Sequence, residues 1–252
     1  MVNKMEILRV SNLKKVYGKK IIFTSLNNIS FNIDEGEFVG IMGPSGSGKT
    51  TLLNMISTVD KPTSGQITIK DKNPLTLKGE DLALFRRREL GFVFQDFNLL
   101  DTLTIGENIV LPLTLDGIAI KEQDEKLTRV SKILGIENLL AKRTFEVSGG
   151  QAQRTAIARA LIHDPSLLLA DEPTGNLDSK ASKTVMELFE KINKEEKVTT
   201  MMVTHDPLAA SYSNRILFIK DGAIYNEIYK GDSRQQFYQE IIDVLALLGG
   251  GN

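Results

Sequence analysis

The hydrophobic and polar positions of the chain form two kinds of segment that alternate. Short apolar runs are typical of strands buried on both faces of a parallel sheet, and they lie at residues 37–42, 90–94, 167–170 and 199–204. Stretches with apolar side chains three and four positions apart predict amphipathic helices, and they lie at residues 80–89, 121–134 and 179–194. Strands and helices that alternate in this way indicate a parallel α/β core.

Two regions depart from this core pattern. Residues 6–10 and 26–33 alternate apolar and polar side chains, as strands with one solvated face do, and residues 66–70 form a further short strand. This early part therefore predicts a mainly antiparallel β region wrapped on the first buried strand. Residues 96–163 are more polar and helical, and they predict a helical insert between two core strands.

A glycine-rich loop follows the first buried strand: Gly43-Pro44-Ser45-Gly46-Ser47-Gly48-Lys49-Thr50-Thr51. It fits the phosphate-binding pattern G-x-x-x-x-G-K-[ST] at every fixed position, between a strand and a helix start, the context that this pattern needs. The glycines let successive backbone N–H groups point into one concavity, and the helix start adds unpaired donors. Lys49 is therefore expected to reach the β- and γ-phosphates of a nucleotide, and the Thr50 hydroxyl to ligate Mg²⁺. The alternative is a glycine-rich surface loop without a ligand.

An acidic pair, Asp171 and Glu172, follows the buried run at residues 167–170. In open α/β sheets, ligands bind at the carboxyl ends of the strands, which is where this pair is expected to lie. Asp171 is placed to hold the Mg²⁺ shell, and Glu172 to orient and deprotonate an attacking water. The alternative is an acidic cap of the next helix, which the upstream phosphate-binding loop makes less favoured.

A second glycine-rich helix start lies at Ser148-Gly149-Gly150-Gln151. It opens a helix with a small apolar face, and Ser-Gly-Gly at a helix N-terminus suits an anion. One ATP does not need two phosphate-binding nests from one chain. We therefore expect this segment to serve the ATP bound by a second copy, the alternative being a glycine-rich N-cap without a ligand.

Composition and charge narrow the class of protein. The chain has 252 residues, a formal net charge of −1 and no cysteine, which excludes a disulfide scaffold and a thiolate metal site. There is no long basic stripe, so no nucleic-acid partner is expected, and the short run at residues 86–88 is interpreted as a solvated helix end. No run of about 18 apolar residues is present, so any membrane role is expected to come through a partner.

Together these motifs resemble the nucleotide-binding subunit of an ABC transporter over about residues 6–228. The phosphate-binding loop, Ser148 to Gln151, and the Asp171-Glu172 pair occur in the order and spacing of that family, and residues 173–178 match its D-loop. Three single residues match further family positions. Gln95 matches the glutamine loop, His205 the switch histidine, and Tyr17 the aromatic residue that stacks on adenine. A tyrosine that packs within its own domain is the alternative for Tyr17.

The resemblance implies a fold, a cofactor pair and a partner. The fold is α/β, a P-loop NTPase (RecA-like) core with an antiparallel β subdomain and an inserted helical subdomain. The partner is a second copy in a head-to-tail dimer that encloses two ATP molecules with Mg²⁺. Gln95 is expected to sense Mg²⁺ and the γ-phosphate and to touch the membrane partner, and His205 to contact the γ-phosphate. His163, the other histidine, is interpreted as structural.

Residues 95–100 and 174–179 resemble the group that serves macrolide exporters and lipoprotein release. Other segments look similar to the ATPase of bacitracin-type antimicrobial-peptide resistance transporters within that group: residues 202–207, 209–212, 218–222 and 234–238. This resemblance implies an ATPase on the inner face of the cell membrane, with an integral-membrane permease and often a sensor histidine kinase. A mechanical or signalling ATPase that moves no cargo stays open as an alternative, and so does a soluble ATPase of DNA repair or translation.

The end of the chain lies outside the predicted catalytic core. The expected division is an ATP-binding domain at residues 1–230 and a C-terminal helical extension at residues 231–252. Five apolar side chains of the extension fall on one helical face: Phe237, Ile241, Val244, Leu245 and Leu248. This face predicts a helix that packs on its own domain, with a dimer or kinase contact as the alternative.

Overall fold

The computed structural model describes residues 5–18 and 20–249. Its strands are β1 (Glu6–Tyr17), β2 (Phe23–Asp34), β3 (Phe38–Met42), β4 (Ser64–Ile69), β5 (Leu90–Val93), β6 (Leu167–Asp171), β7 (Thr200–Val203), β8 (Arg215–Lys220) and β9 (Ala223–Tyr229). Its helices are α1 (Lys49–Ile56), α2 (Gly79–Glu89), α3 (Ile105–Leu115), α4 (Ile120–Leu134), α5 (Gly149–Leu161), α6 (Ser179–Glu196), α7 (Pro207–Ala210) and α8 (Arg234–Gly249).

Two sheets organise these elements. The larger has the order β5-β6-β7-β3-β8-β9, and its first five strands are parallel. The smaller has the order β2-β1-β4 and is antiparallel. Both the parallel core and the antiparallel region are therefore confirmed. The strands β1 and β2 are longer than predicted, because bulges in their pairing break the strict alternation that the sequence pattern relies on.

The core strands are buried because each face of the larger sheet meets apolar side chains. Every residue of β3 and β7 is buried. One face packs on α5, α6 and the helices of the insert, and the other packs on α1 and the antiparallel sheet. This two-sided burial explains why the core strands appear in the sequence as continuous apolar runs rather than as alternating ones.

Helices α3, α4 and α5 lie between β5 and β6 in the chain. Thr104 begins α3 with a capping box in which its hydroxyl accepts from the Glu107 N–H and the Glu107 carboxylate accepts from the Thr104 N–H. Gly135 ends α4 in a left-handed conformation, at φ 61°. The helix predicted at residues 121–134 is confirmed by α4.

The basic run at the end of α2 is not simply solvated. Arg87 and Arg88 both donate to the carboxylate of Asp116, at 2.9 and 2.7 Å, and this carboxylate is only 4% exposed. Asp116 follows α3, so the pair of arginines connects α2 to the helical insert. Arg88 is still 57% exposed, as a solvated helix end requires, but its ion pair with Asp116, 28 positions further along the chain, was not predicted.

Helix α8 packs against β3 and β8 of the larger sheet, on the face opposite α1. Its side chains Phe237, Ile241, Val244 and Leu248 are buried in a cluster with Met42, Ala210, Ile216 and Phe218. The apolar face predicted for the extension thus packs on its own domain, against the last residue of β3. Residues 250–252 of the extension lie outside the described residues.

Candidate active site

The glycine-rich loop between β3 and α1 is held in place by two glycines. Gly43 has φ 151° and Gly48 has φ 105°, values that other residues rarely adopt. A side chain at Gly43 would collide with the carbonyl of Ile219, and one at Gly48 with the carbonyl of Ser25. The loop is therefore clamped between the end of β8 and the start of β2, with the N-terminus of α1 behind it.

An open cleft of about 220 Å³ lies over this loop. The residues that line it are Phe23, Ser25, Gly46, Ser47, Gly48, Lys49, Thr50 and Thr51. The ammonium of Lys49 donates to the carbonyls of Gly43 and Pro44 at 2.9 and 3.0 Å, so it folds over the loop. Backbone donors, a helix N-terminus and one cation are the groups that bind a polyphosphate chain.

The acidic pair lies at the carboxyl end of β6. Burial raises the pKa of Asp171, and the neighbouring carboxylate of Glu172 raises it further, while Lys49 opposes both. Burial lowers the pKa of Lys49, with Glu172 and Asp171 opposing. Lys49, Asp171 and Glu172 are therefore close enough to act on one another, because β3, β7 and β6 are neighbours in the sheet.

His205 follows β7 and lies beside Glu172. Its Nδ1 is 2.9 Å from Oε2 of Glu172, and its side chain is 74% exposed. Glu172 itself has a left-handed backbone, at φ 45°, and its N–H donates to the carbonyl of Val203. The structure thus brings together four of the predicted side chains, Lys49, Asp171, Glu172 and His205, at one edge of the sheet.

Gln95 lies at the same edge, two residues beyond Val93, which pairs with Ala170. Its amide contacts Asn176 in the loop after β6, at 3.3 Å. This contact was not predicted, because Gln95 and Asn176 are 81 positions apart.

The second glycine-rich helix start is at a different place. Ser148 caps α5 through a capping box with Gln151, as the residue types at these positions favour. Ser148, Gly150 and Gln151 line a cleft of about 230 Å³ together with Arg154 and the first turns of α6. Gly149 lies beside Leu177, just before α6. This cleft shares no residue with the cleft over the phosphate-binding loop.

Tyr17 is partly packed and partly open. Its hydroxyl donates to Asp60 at 2.9 Å, and the ammonium of Lys15 lies 4.6 Å from the centre of its ring. Burial raises the pKa of the hydroxyl, as does the hydrogen bond to Asp60. The ring is still 39% exposed. Tyr17 pairs with Phe23 across the sheet, which places it next to the cleft over the loop.

The sequence did not single out Phe23 or Ser25, and it marked Asn176 only as part of residues 173–178. Phe23 ends an apolar run, Ile21-Ile22-Phe23, whose pattern resembles a buried strand, yet Phe23 is 57% exposed. Ser25 lies in β2, where its hydroxyl contacts that of Thr51 at 2.8 Å. His163, interpreted as structural, lines a groove beside Phe94; burial lowers its pKa, and the hydrogen bond with the carbonyl of Pro112 opposes this.

The donor set at the sheet edge fits a hard divalent cation. A hydroxyl (Thr50), an amide (Gln95) and a carboxylate (Asp171) all offer oxygen, and Mg²⁺ is usually held by one or two carboxylates together with substrate phosphates. Among the described residues, no group of three or more His, Asp or Glu side chains could hold a metal alone. The residues therefore fit a cation that arrives with a polyphosphate.

The model of the family described as ABC transporter matches residues 26–175, which include the loop, Gln95, the second helix start and the acidic pair. The chain belongs to the ABC transporter family. As predicted, it is an ATP-binding subunit within that family and an ATPase.

Similar proteins cover almost all of this ABC transporter chain. The ABC transporter ATP-binding protein YxdL of Bacillus subtilis is 63% identical over 97% of this chain and 95% of its own. The bacitracin export ATP-binding protein BceA of Halalkalibacterium halodurans is 49% identical over 98% of each chain. The cassette MJ0796 of Methanocaldococcus jannaschii, solved as a dimer in a post-hydrolysis state bound to ADP and Pi, has a TM-score of 0.80 at 41% identity. That comparison covers 89% of this chain and all of the other, which confirms the predicted fold class.

No helix in the described part of this ABC transporter chain is long and apolar enough to cross a membrane.

Proposed function

We propose that this chain binds ATP and Mg²⁺ between two copies of itself and uses ATP hydrolysis to drive a membrane permease. One observation carries the proposal. Two helix N-termini suited to anions lie in one chain, but they line separate clefts with no residue in common. A head-to-tail dimer unites the loop of one copy with Ser148 to Gln151 of the other, and the existence of a dimer of the similar cassette MJ0796 supports the pairing of two copies.

In this proposal the loop Gly43 to Thr51 and Lys49 hold the phosphates, and Tyr17 stacks on adenine. Thr50, Gln95 and Asp171 hold Mg²⁺, which neutralises charge on the phosphate oxygens when it is bound. Closure by the second copy excludes water and surrounds the γ-phosphate with fixed dipoles.

Hydrolysis requires a base and a group that faces the γ-phosphate. Glu172 orients and deprotonates the attacking water, and His205, beside it, contacts the γ-phosphate. Loss of the γ-phosphate removes the group that bridges the two copies, so the dimer reopens. This cycle of closing and opening is the movement that a membrane partner can use.

A groove at the joint between the core and the helical insert suits the permease. It has a volume of about 360 Å³ and is lined mainly by apolar groups, among them Phe92, Phe94, Leu111 and Leu115. Gln95 directly follows Phe94, so a helix seated there would lie next to a residue of the active site. We propose residues 1–230, with the insert at about 96–163, as the ATP-binding domain and residues 231–252 as a helical extension.

The proposed physiological role is resistance to bacitracin-like peptide antibiotics, at the cytoplasmic face of the membrane. Similarity to the bacitracin export protein BceA supports this role. A sensor histidine kinase is proposed as a further partner of the complex.

The test is recovery of the intact membrane complex through a tag on this chain. The expected result is one integral-membrane permease with two copies of this chain, and cells that become sensitive to bacitracin when Glu172→Gln replaces the native protein. Sensitivity that is unchanged, in cells where the tagged complex is intact, would contradict the resistance role. Recovery without any membrane protein would contradict the coupling to a permease.

A further inference from the structure

Asn176 joins two segments of the proposed site that are far apart in the chain. It lies in the loop between β6 and α6, and its side chain contacts both Gln95 and Asp96. The neighbouring Gly175 approaches so closely that a Cβ there would lie 2.9 Å from Cδ of Gln95. The Gln95 side chain is therefore packed against this loop as well as hydrogen-bonded to it.

The orientation of the Asn176 amide follows from its partners. The ionised carboxylate of Asp96 can only accept hydrogen bonds, and so can the backbone carbonyl of Gln95. Both lie near the same atom of Asn176, Nδ2, at 2.7 and 3.2 Å. Two acceptors on one side require the nitrogen of Asn176 to face them, which leaves its Oδ1 on the other side.

This orientation in turn determines that of Gln95. Oδ1 of Asn176 lies 3.3 Å from the Gln95 amide, and an oxygen acceptor selects the nitrogen of that amide as its donor. Oε1 of Gln95 is thereby turned away from Asn176. The difference matters because an amide oxygen ligates a hard cation, whereas an amide nitrogen does not.

We propose that Asn176 is a positioning residue for Gln95. The relay from Asp96 through Asn176 fixes the amide of Gln95 so that its oxygen, not its nitrogen, faces the divalent cation of the bound nucleotide. This inference rests on the proposed function, in which Gln95 is a cation ligand.

The experiment measures Mn²⁺ affinity by electron paramagnetic resonance, with the full chain saturated by a non-hydrolysable ATP analogue. Asn176→Ala is expected to weaken Mn²⁺ binding about tenfold, the lower end of what partners of metal ligands usually contribute. Gln95→Ala is expected to have a similar effect, and the double variant no greater one, because both remove the same interaction. The affinity of Asn176→Ala for the analogue in excess EDTA is expected to stay unchanged.

An exchange of donor and acceptor separates the relay from a general loss of packing. Asn176→Asp alone sets two carboxylates against each other and should weaken Mn²⁺ binding. Asp96→Asn together with Asn176→Asp restores a donor at position 96 and an acceptor for Nε2 of Gln95. This double exchange is expected to recover a measurable part of the Mn²⁺ affinity that Asn176→Asp loses, but not all of it, because the backbone carbonyl of Gln95 then faces an acceptor instead of its donor.

The outcomes distinguish the relay from the proposed function. If the native chain binds neither the analogue nor Mn²⁺ with it, the proposed function is wrong. If the native chain binds both, three results would overturn the relay: an unchanged affinity in Asn176→Ala, additive losses in the double alanine variant, or no recovery in the double exchange.

Discussion

Both the backbone N–H and the imidazole Nδ1 of His205 lie within hydrogen-bond distance of one oxygen of Glu172, Oε2, at 3.2 and 2.9 Å. The contact joins the ends of the neighbouring strands β6 and β7. Because the Glu172 backbone is left-handed and its own N–H is bound to Val203, this carboxylate is held from both strands. His205 therefore sets the orientation of the Glu172 carboxylate, the proposed base.

Glu172→Gln is expected to bind ATP and to lose turnover. The amide keeps an acceptor for the N–H of His205 but cannot take a proton, so the rate should fall roughly 10²–10⁴-fold. Steady-state ATPase assays and nucleotide titrations on the same preparation measure both effects. Glu187→Gln, on the exposed side of α6, is the matched control and should hydrolyse ATP normally. Near-normal hydrolysis in Glu172→Gln would exclude it as the base.

Two variants of Tyr17 separate the effect of ring stacking from that of the hydrogen bond to Asp60. Tyr17→Phe keeps the ring and loses only the bond to Asp60, so its ATP affinity should change little. Tyr17→Ala should weaken ATP binding by a factor of about 5 to 150, the range for one base stacked on an aromatic ring. Calorimetry measures these affinities, and inorganic tripolyphosphate, which has no base, is the control ligand. The affinity for tripolyphosphate should be the same in the native protein and in both variants. An equal loss for tripolyphosphate would show that Tyr17 shapes the loop rather than holding the base.

A feature of the fold or of the candidate site could be predicted from the sequence when the residues that determine it were neighbours in the chain. The phosphate-binding loop, the capping box at Ser148 and the end of α4 at Gly135 each depend on a few consecutive residues, whose backbone preferences are strong. The buried strands were also predictable, because burial on both faces leaves a continuous apolar run.

Contacts between distant segments could not be predicted in the same way. Asn176 lies 81 positions from Gln95, and Asp116 lies 28 from Arg88, so neither pair has a periodic signal. Phe23 shows a different limit. An apolar residue at the edge of a sheet has the same sequence pattern whether it is buried or lines an open cleft, and only the position of the loop beside it decides which.

Ser148→Arg is expected to prevent closure over ATP while the single chain still binds nucleotide. The longer side chain would occupy the cleft that is proposed to face the phosphates of the ATP bound by the other copy. Light scattering after gel filtration, in a Glu172→Gln background with ATP, measures the dimer. Ser148→Ala loses the same N-cap, at a cost of about 1 kcal/mol, and controls for the stability of α5.

Dimers that form normally with Ser148→Arg would contradict the shared site. Thr128→Arg, on the exposed side of α4, adds the same charge at a distance from both clefts and should dimerise like the native protein.

Asp171→Asn is expected to stabilise the chain at neutral pH. The raised pKa of Asp171 means that the native state binds more protons than the unfolded state, from the ordinary value of 3.8 up to the raised value. The free energy of unfolding should therefore fall as the pH rises through this window, and the loss persists above it. Replacement of the carboxyl removes this loss.

Urea unfolding in EDTA at a series of pH values measures the effect. The free energy of unfolding of Asp171→Asn should exceed that of the native protein by an amount that grows with pH and then levels off. Asp124→Asn, on the exposed side of α4, should have the same free energy of unfolding as the native protein at each pH. A constant difference at every pH would contradict the assignment to a titrating group.

The separation of the two clefts within one chain has a genetic consequence. In the proposed head-to-tail dimer of one chain with Lys49→Ala and another with Ser148→Arg, both lesions would fall in the same composite site, and the second site would stay whole. The same two substitutions carried by one chain, with a native partner, damage both sites. The Lys49→Ala and Ser148→Arg alleles should therefore complement each other when they are expressed together. An allele that carries both substitutions should instead be dominant negative, because it inactivates both sites of a dimer with the native chain.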